Sequence, residues 1–115
     1  MNPDERTWGA RLQRLSPRAF KRLIAAIFEV RGWRCGVSTP GPDRGIDITA
    51  RRSGIIELTA AVRVKQYDLD CSIGVGAVRE YAGLYRAADP PDTVRLVASS
   101  EFTATAHAEA NEGDV

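Results

Sequence analysis

The sequence predicts an α/β sandwich in which a mixed sheet is covered by helices. Three observations carry this reading. One strongly amphipathic helix opens the chain, three short alternating runs follow with brief links, and a helix, a strand and a last helix close it. The three linked strands are expected to be antiparallel. The helix between the third and fourth strands suits a right-handed parallel crossover.

Each element has its own signal. Trp8, Leu12 and Leu15 give a weak helical spacing ahead of the main helix. Ser16-Pro17 starts that helix, because the serine hydroxyl can accept from free first-turn amides and proline fits the first helical position. Phe20, Leu23, Ile24, Ile27 and Phe28 then form one apolar stripe, with Arg18, Lys21, Arg22 and Glu29 opposite, and Gly32 provides the left-handed stop.

Trp33, Cys35 and Val37 alternate with polar or small residues as a short strand, and 38–45 is a loop by composition. Ile46, Ile48 and Ala50 alternate with Asp47, Thr49 and Arg51, and Arg52-Ser53-Gly54 turns the chain. In the next run Ile56, Leu58, Ala60, Val62 and Val64 share one face, leaving Glu57, Thr59, Ala61, Arg63 and Lys65 on the other. Arg63 and Lys65 are therefore neighbours on one side, a little under about 7 Å apart at 3.3 Å rise per residue. Val75, Val78, Tyr81, Ala82 and Tyr85 mark a second amphipathic helix, which Asp89-Pro90-Pro91-Asp92 breaks. Thr93–Ser99 reads as a buried strand, and Thr103 caps an alanine-rich helix that runs out at 111–113.

The chain has 115 residues, room for one compact domain, and its 43% hydrophobic content needs no stapling device. A formal net charge of +1 argues neither for nor against nucleic acid, so the placement of charge has to decide. Cys35, Cys71 and His107 cannot make a zinc-finger site, and two reduced cysteines suit a cytoplasmic protein. No run approaches the roughly 20 apolar residues of a membrane span, and the N-terminus lacks the pattern of a secretory signal.

Candidate chemistry gathers at the strands. Asp47 between two isoleucines is unusual, since aspartate is depleted in strands and needs partners when buried. Singly, Asp47, Arg63 and Lys65 each have an ordinary structural explanation. Together, a carboxylate on one strand and an amine on the next make a more specific arrangement. A carboxylate can hold a divalent ion that polarises a phosphate and acidifies water, while an ammonium stabilises charge building at phosphorus.

Five fragments carry a resemblance. They are Leu15-Ser16-Pro17-Arg18-Ala19-Phe20, Asp43-Arg44-Gly45-Ile46-Asp47-Ile48, Val62-Arg63-Val64-Lys65-Gln66-Tyr67, Val75–Glu80 with Gly83-Leu84-Tyr85, and Ser99-Ser100-Glu101-Phe102-Thr103 with Ala106. In order and at this spacing they resemble the catalytic domain of Mrr-like restriction endonucleases, of the PD-(D/E)xK nuclease superfamily. That family's restriction-endonuclease-like αβββαβ core agrees with the element order above. The resemblance takes 1–115 as one such domain, with 1–14 as a leading segment and a closing helix cut short.

It implies a restriction-type DNA endonuclease, cytoplasmic, that hydrolyses phosphodiesters with Mg²⁺ or Mn²⁺. Asp47 would be the metal carboxylate, the backbone carbonyl of Val64 a second ligand and Asp43 a further one. Lys65 matches the signature lysine, and Arg63 would touch the scissile or a neighbouring phosphate. Double-stranded DNA, a second copy of the chain and a target-recognition domain or subunit are the partners implied.

Two positions depart from that pattern. Arg63 occupies the place of a signature Glu, Asp or Gln, and Lys21 that of a glutamate after the helix phenylalanine. A full positive charge about 5 Å from a divalent ion opposes its binding by roughly 6–7 kcal/mol at an effective dielectric of about 20. The same cations favour phosphate: Arg18, Lys21, Arg22, Arg44, Arg51, Arg63 and Lys65 could line one positive groove. The alternative to a nuclease is therefore a DNA-binding or partner-binding module on the same fold.

Overall fold

A computed structural model describes residues 10–38, 46–66 and 72–115. Asp43, Arg44 and Cys71, singled out above, lie outside the described residues. After a helical stretch at 10–13, helix α1 spans Pro17–Val30, and strands β1 (Arg34–Val37), β2 (Ile48–Arg52) and β3 (Leu58–Lys65) follow. Helix α2 (Val75–Ala82) runs into a 3₁₀ turn at Gly83–Arg86, then come β4 (Thr93–Ala98) and α3 (Ala104–Gly113).

The sheet order is β1-β2-β3-β4, antiparallel across the first two pairs and parallel between β3 and β4. This is the mixed sheet that the short links and the intervening helix require. Local chemistry sets the ends of α1. Ser16 Oγ accepts from the Ala19 amide at 3.1 Å, Pro17 takes the first helical position, and Gly32 turns the chain away at φ +95. Thr103 caps α3 in the same way, its Oγ1 accepting from Ala106 N–H at 3.1 Å. The crossover is fastened at its far end, where Thr59 N–H donates to Asp92 Oδ2 at 2.7 Å and Asp92 N–H donates back to Thr59 O at 3.0 Å.

The period of two divides the core into two layers. Phe20, Ile24 and Ala25 of α1 pack with Ile48, Val62 and Val64 on one face, joined by Leu12, Leu15, Phe28, Cys35 and Val97. Ala61 and Val94 lie side by side in the β3–β4 register with the opposite parity, and buried Val78, Tyr81 and Ala106 come from α2 and α3. Among the described residues no helix is long and apolar enough to cross a membrane.

Two expectations change. Ile56 and Leu58 do not share the buried face: β3 begins at Leu58, paired with Arg52, so the turn is longer than Arg52-Ser53-Gly54 and carries Ile55 and Ile56 out into solvent. The second helix does not reach Tyr85 as an α-helix. It tightens at Gly83, and the Tyr85 hydroxyl accepts from Val94 N–H at 2.8 Å and donates to Asp114 O at 2.6 Å.

Candidate functional site

Asp47 sits one residue before β2, and its amide donates to Val62 O at 2.9 Å. The β2–β3 register ends at Ile48 opposite Val62, and because the Asp47 amide bonds to that same Val62 carbonyl, Asp47 lies just beyond the paired strands. Arg63 and Lys65, two residues apart on β3, share the face opposite Val62 and Val64. Asp47 is met from both layers: by Lys21 of α1, which packs on the side of Ile48, Val62 and Val64, and by Arg63 from the other side of β3.

The Asp47 carboxylate is nearly buried, with its side chain 10% exposed. Oδ1 is 3.0 Å from Lys21 Nζ, which reaches it from α1. Oδ2 accepts a hydrogen bond from Val64 N–H at 2.7 Å and lies 3.4 Å from Arg63 Nε. At that separation the Arg63 contact is Coulombic, since the Nε–H is not aligned for a hydrogen bond. A carboxylate can be buried here because every part of its charge is answered by a donor or a cation.

Tyr81 of α2 floors the cluster. The Arg63 guanidinium carbon lies 5.4 Å from its ring centroid and Lys65 Nζ lies 5.9 Å from it, within the range of cation–π attraction. The sequence gives Tyr81 only as one of an apolar helical stripe, so its role beneath two cations was hidden. Gln66 was missed too: its Nε2 donates to Leu12 O at 2.9 Å and Leu15 O at 2.7 Å, tying the segment before α1 to the end of β3.

The remaining candidates spread out. Lys21 also lines a cavity of about 470 Å³ with Ser16, Pro17, Arg18, Arg22, Val37 and Ser38. Ser38 holds the rim beside Asp47, its amide donating to Asp47 O at 2.9 Å and its hydroxyl to Ile46 O at 2.7 Å. Arg18 and Arg22 are exposed there. Arg51 lies four residues from Asp47 along the chain, about 13 Å away, and pairs loosely with Glu57 at 4.0 Å. His107 is exposed and meets only Phe102 edge-on among the described rings.

A divalent ion does not fit these residues as they are arranged. Both Asp47 oxygens are engaged by cations, and among the described residues no three His, Cys, Asp or Glu side chains gather closely enough to hold a metal. Magnesium demands oxygen ligands at about 2.0–2.1 Å in near-octahedral order, which this set does not supply. What it does supply is a half-buried cationic cluster around one carboxylate, suited to anionic oxygen.

Comparison with known proteins agrees with the architecture. The Mrr-type restriction endonuclease family model matches residues 12–115. Among solved structures, the DNA modification-dependent restriction endonuclease AspBHI superposes with a TM-score of 0.74 at 19% identity, covering 97% of this chain and 31% of its own. The MspJI restriction endonuclease, in complex with a 27-mer oligonucleotide, superposes with a TM-score of 0.65 at 18% identity, covering 95% of this chain and 26% of its own. The chain thus spans about a third or less of either neighbour. No curated protein matches.

Proposed function

Because the chain belongs to the restriction endonuclease family, whose catalytic-domain model covers all but its first eleven residues, we propose that it engages duplex DNA as the backbone-gripping domain of a restriction system. One observation carries this reading: Lys21 and Arg63 converge on Asp47, and Lys65 lies beside Arg63 over the Tyr81 ring. Arg18 and Arg22 extend the positive surface along the adjoining cavity. Such a surface binds phosphates by electrostatics and counterion release, without reading bases. The like fold of MspJI occurs in an oligonucleotide complex, which supports the assignment.

Selection of a sequence or a modified base would then fall to a target-recognition domain or subunit, as the much greater length of both neighbours suggests. On this reading the chain works in the cytoplasm, where its DNA would be. The test is fluorescence anisotropy with a 20-base-pair duplex in EDTA, at salt from 50 to 200 mM. Engagement of four or five phosphates gives a log–log salt slope of about −4. Absence of binding at 50 mM salt refutes the proposal.

A second reading has its own support in the family match and in Asp47 and Lys65 both neighbouring Arg63. It is a Mg²⁺- or Mn²⁺-dependent endonuclease in which Asp47, the Val64 carbonyl and Asp43 would hold the metal. Lys65 and Arg63 would stabilise charge at phosphorus, and a second copy would supply the cut on the other strand. Manganese-dependent cleavage of plasmid DNA that vanishes in Asp47→Ala establishes this reading. Intact plasmid under those conditions removes it.

A further inference from the structure

We propose that Lys21 and Arg63 hold the place of the divalent cation at Asp47, so that this site clamps a phosphodiester without metal. The carboxylate then serves as a positioning residue that keeps two cations in place. The exclusion of metal stands on the contacts of the site itself, and the phosphodiester clamp rests on the proposed function.

The geometry is that of an exchange. Oδ1 faces Lys21 Nζ at 3.0 Å, and Oδ2 faces Arg63 Nε at 3.4 Å and the Val64 amide at 2.7 Å. An ion entering at about 2 Å from either oxygen would meet a positive charge within roughly 4–5 Å. At an effective dielectric of about 20 each such encounter opposes entry by roughly 7–8 kcal/mol, about the whole binding free energy of a micromolar ligand. Charge bookkeeping points the same way. One carboxylate with Lys21, Arg63 and Lys65 sums to +2. The two monovalent cations at Asp47 thus already supply the two positive charges that a divalent ion would bring.

The Tyr81 ring beneath Arg63 and Lys65 and the burial of Asp47 fix that field in position before any ligand arrives. Preorganised charge of this kind interacts with phosphate more strongly than mobile surface lysines do, because little side-chain ordering remains to be done on binding.

The experiment is Mn²⁺ binding followed by electron paramagnetic resonance and isothermal titration on three proteins. These are the full chain, the double variant Lys21→Glu/Arg63→Gln, and that variant with Asp47→Asn added. Circular dichroism monitors folding. The expected result is no Asp47-dependent Mn²⁺ site in the unaltered chain up to 1 mM metal. The double variant should gain one that binds at least tenfold more tightly than that limit, and Asp47→Asn should abolish it. Binding of the 20-base-pair duplex by the unaltered chain should be no tighter in Mg²⁺ than in EDTA, because the metal only competes for phosphate.

A Mn²⁺ site in the unaltered chain that disappears in Asp47→Asn overturns the proposal. So does a folded double variant that gains no site, because the cations would then not be what excludes metal. If the double variant fails to fold, Arg63→Gln alone with the unaltered chain decides in the same way. Failure to bind duplex at all would refute the DNA-gripping role while leaving the metal result intact.

Discussion

Replacing Asp47 by asparagine separates a carboxylate that is part of the folded charge network from one kept open for a metal. The substitution preserves shape and leaves a carbonyl oxygen able to accept from Val64 N–H, so it removes charge alone. At an effective dielectric of about 20, the contacts at 3.0 and 3.4 Å correspond to gross attractions of about 5 kcal/mol each. Desolvation of the three groups offsets much of that. Breaking a fully buried pair costs roughly 3–5 kcal/mol because a charge is left uncompensated. Here the Lys21 and Arg63 side chains are 21% and 31% exposed, and water can recover part of the loss. The net destabilisation is about 2–3 kcal/mol. In a chain of 115 residues each kcal/mol moves the melting temperature by roughly 4 °C, giving a fall of roughly 8–12 °C. Urea unfolding at pH 7 in EDTA measures it, and a cycle with Lys21→Met should return a coupling of about 1–2 kcal/mol. A carboxylate awaiting a metal behaves in the opposite way, since unpaired functional charge is commonly destabilising and its removal is neutral or stabilising. Unchanged or increased stability in Asp47→Asn would refute the argument.

Three further outcomes follow from the fold. Ser16→Ala removes the α1 cap and should cost about 1 kcal/mol in urea unfolding. Gln66→Leu leaves the carbonyls of Leu12 and Leu15 without their amide donor, for a loss of about 1–2 kcal/mol. Hydrogen exchange should quicken in 10–15 before it does in the strands. Burial, and then the neighbouring Glu29, push the Cys35 thiol above its ordinary value of 9.0. The folded chain therefore keeps this proton to higher pH than the unfolded chain does. In a Cys71→Ser background alkylation at pH 8 should be slower than for a free cysteine, and stability should fall as pH climbs through 9.

The order of elements, the antiparallel-then-parallel sheet and the caps at Ser16 and Thr103 were legible in the sequence, because periodicity and capping are local properties. The shared face of Arg63 and Lys65 was legible for the same reason, since parity along one strand fixes it, whereas the meeting of Asp47 with Arg63 depends on its place just beyond the β2–β3 pairing. Ile56 was misplaced because alternation continues into a turn that has already left the sheet, and only pairing with Arg52 shows where β3 starts. Tyr81 and Gln66 were invisible as site neighbours, as their partners come from elements distant in sequence. Lys21 was legible as a cation opposite the apolar stripe that could line a positive groove, but not as a partner of Asp47. Its reach to Asp47 depends on how α1 sits against the sheet, which no local pattern encodes. A signal was nonetheless present. The two departures from the nuclease pattern are both acid-or-amide positions turned to cations, and both fall around the same aspartate.

That coincidence of charge also discriminates between partners. Arg63 and Lys65 alone would repel across one strand face, and Asp47 with the Tyr81 ring makes their proximity tolerable. The cluster of Asp47, Lys21, Arg63 and Lys65 nevertheless retains +2. Adding Mg²⁺ raises it to +4 in a site that water reaches poorly, where like charges are screened least. Adding two phosphodiesters brings it to zero and supplies the oxygen acceptors that guanidinium and ammonium groups bind best. Successive phosphates of one DNA strand present that arrangement at regular spacing. On the proposed function the charge of the cluster therefore favours a nucleic-acid backbone over a metal ion, and the two would compete for the site rather than assist one another.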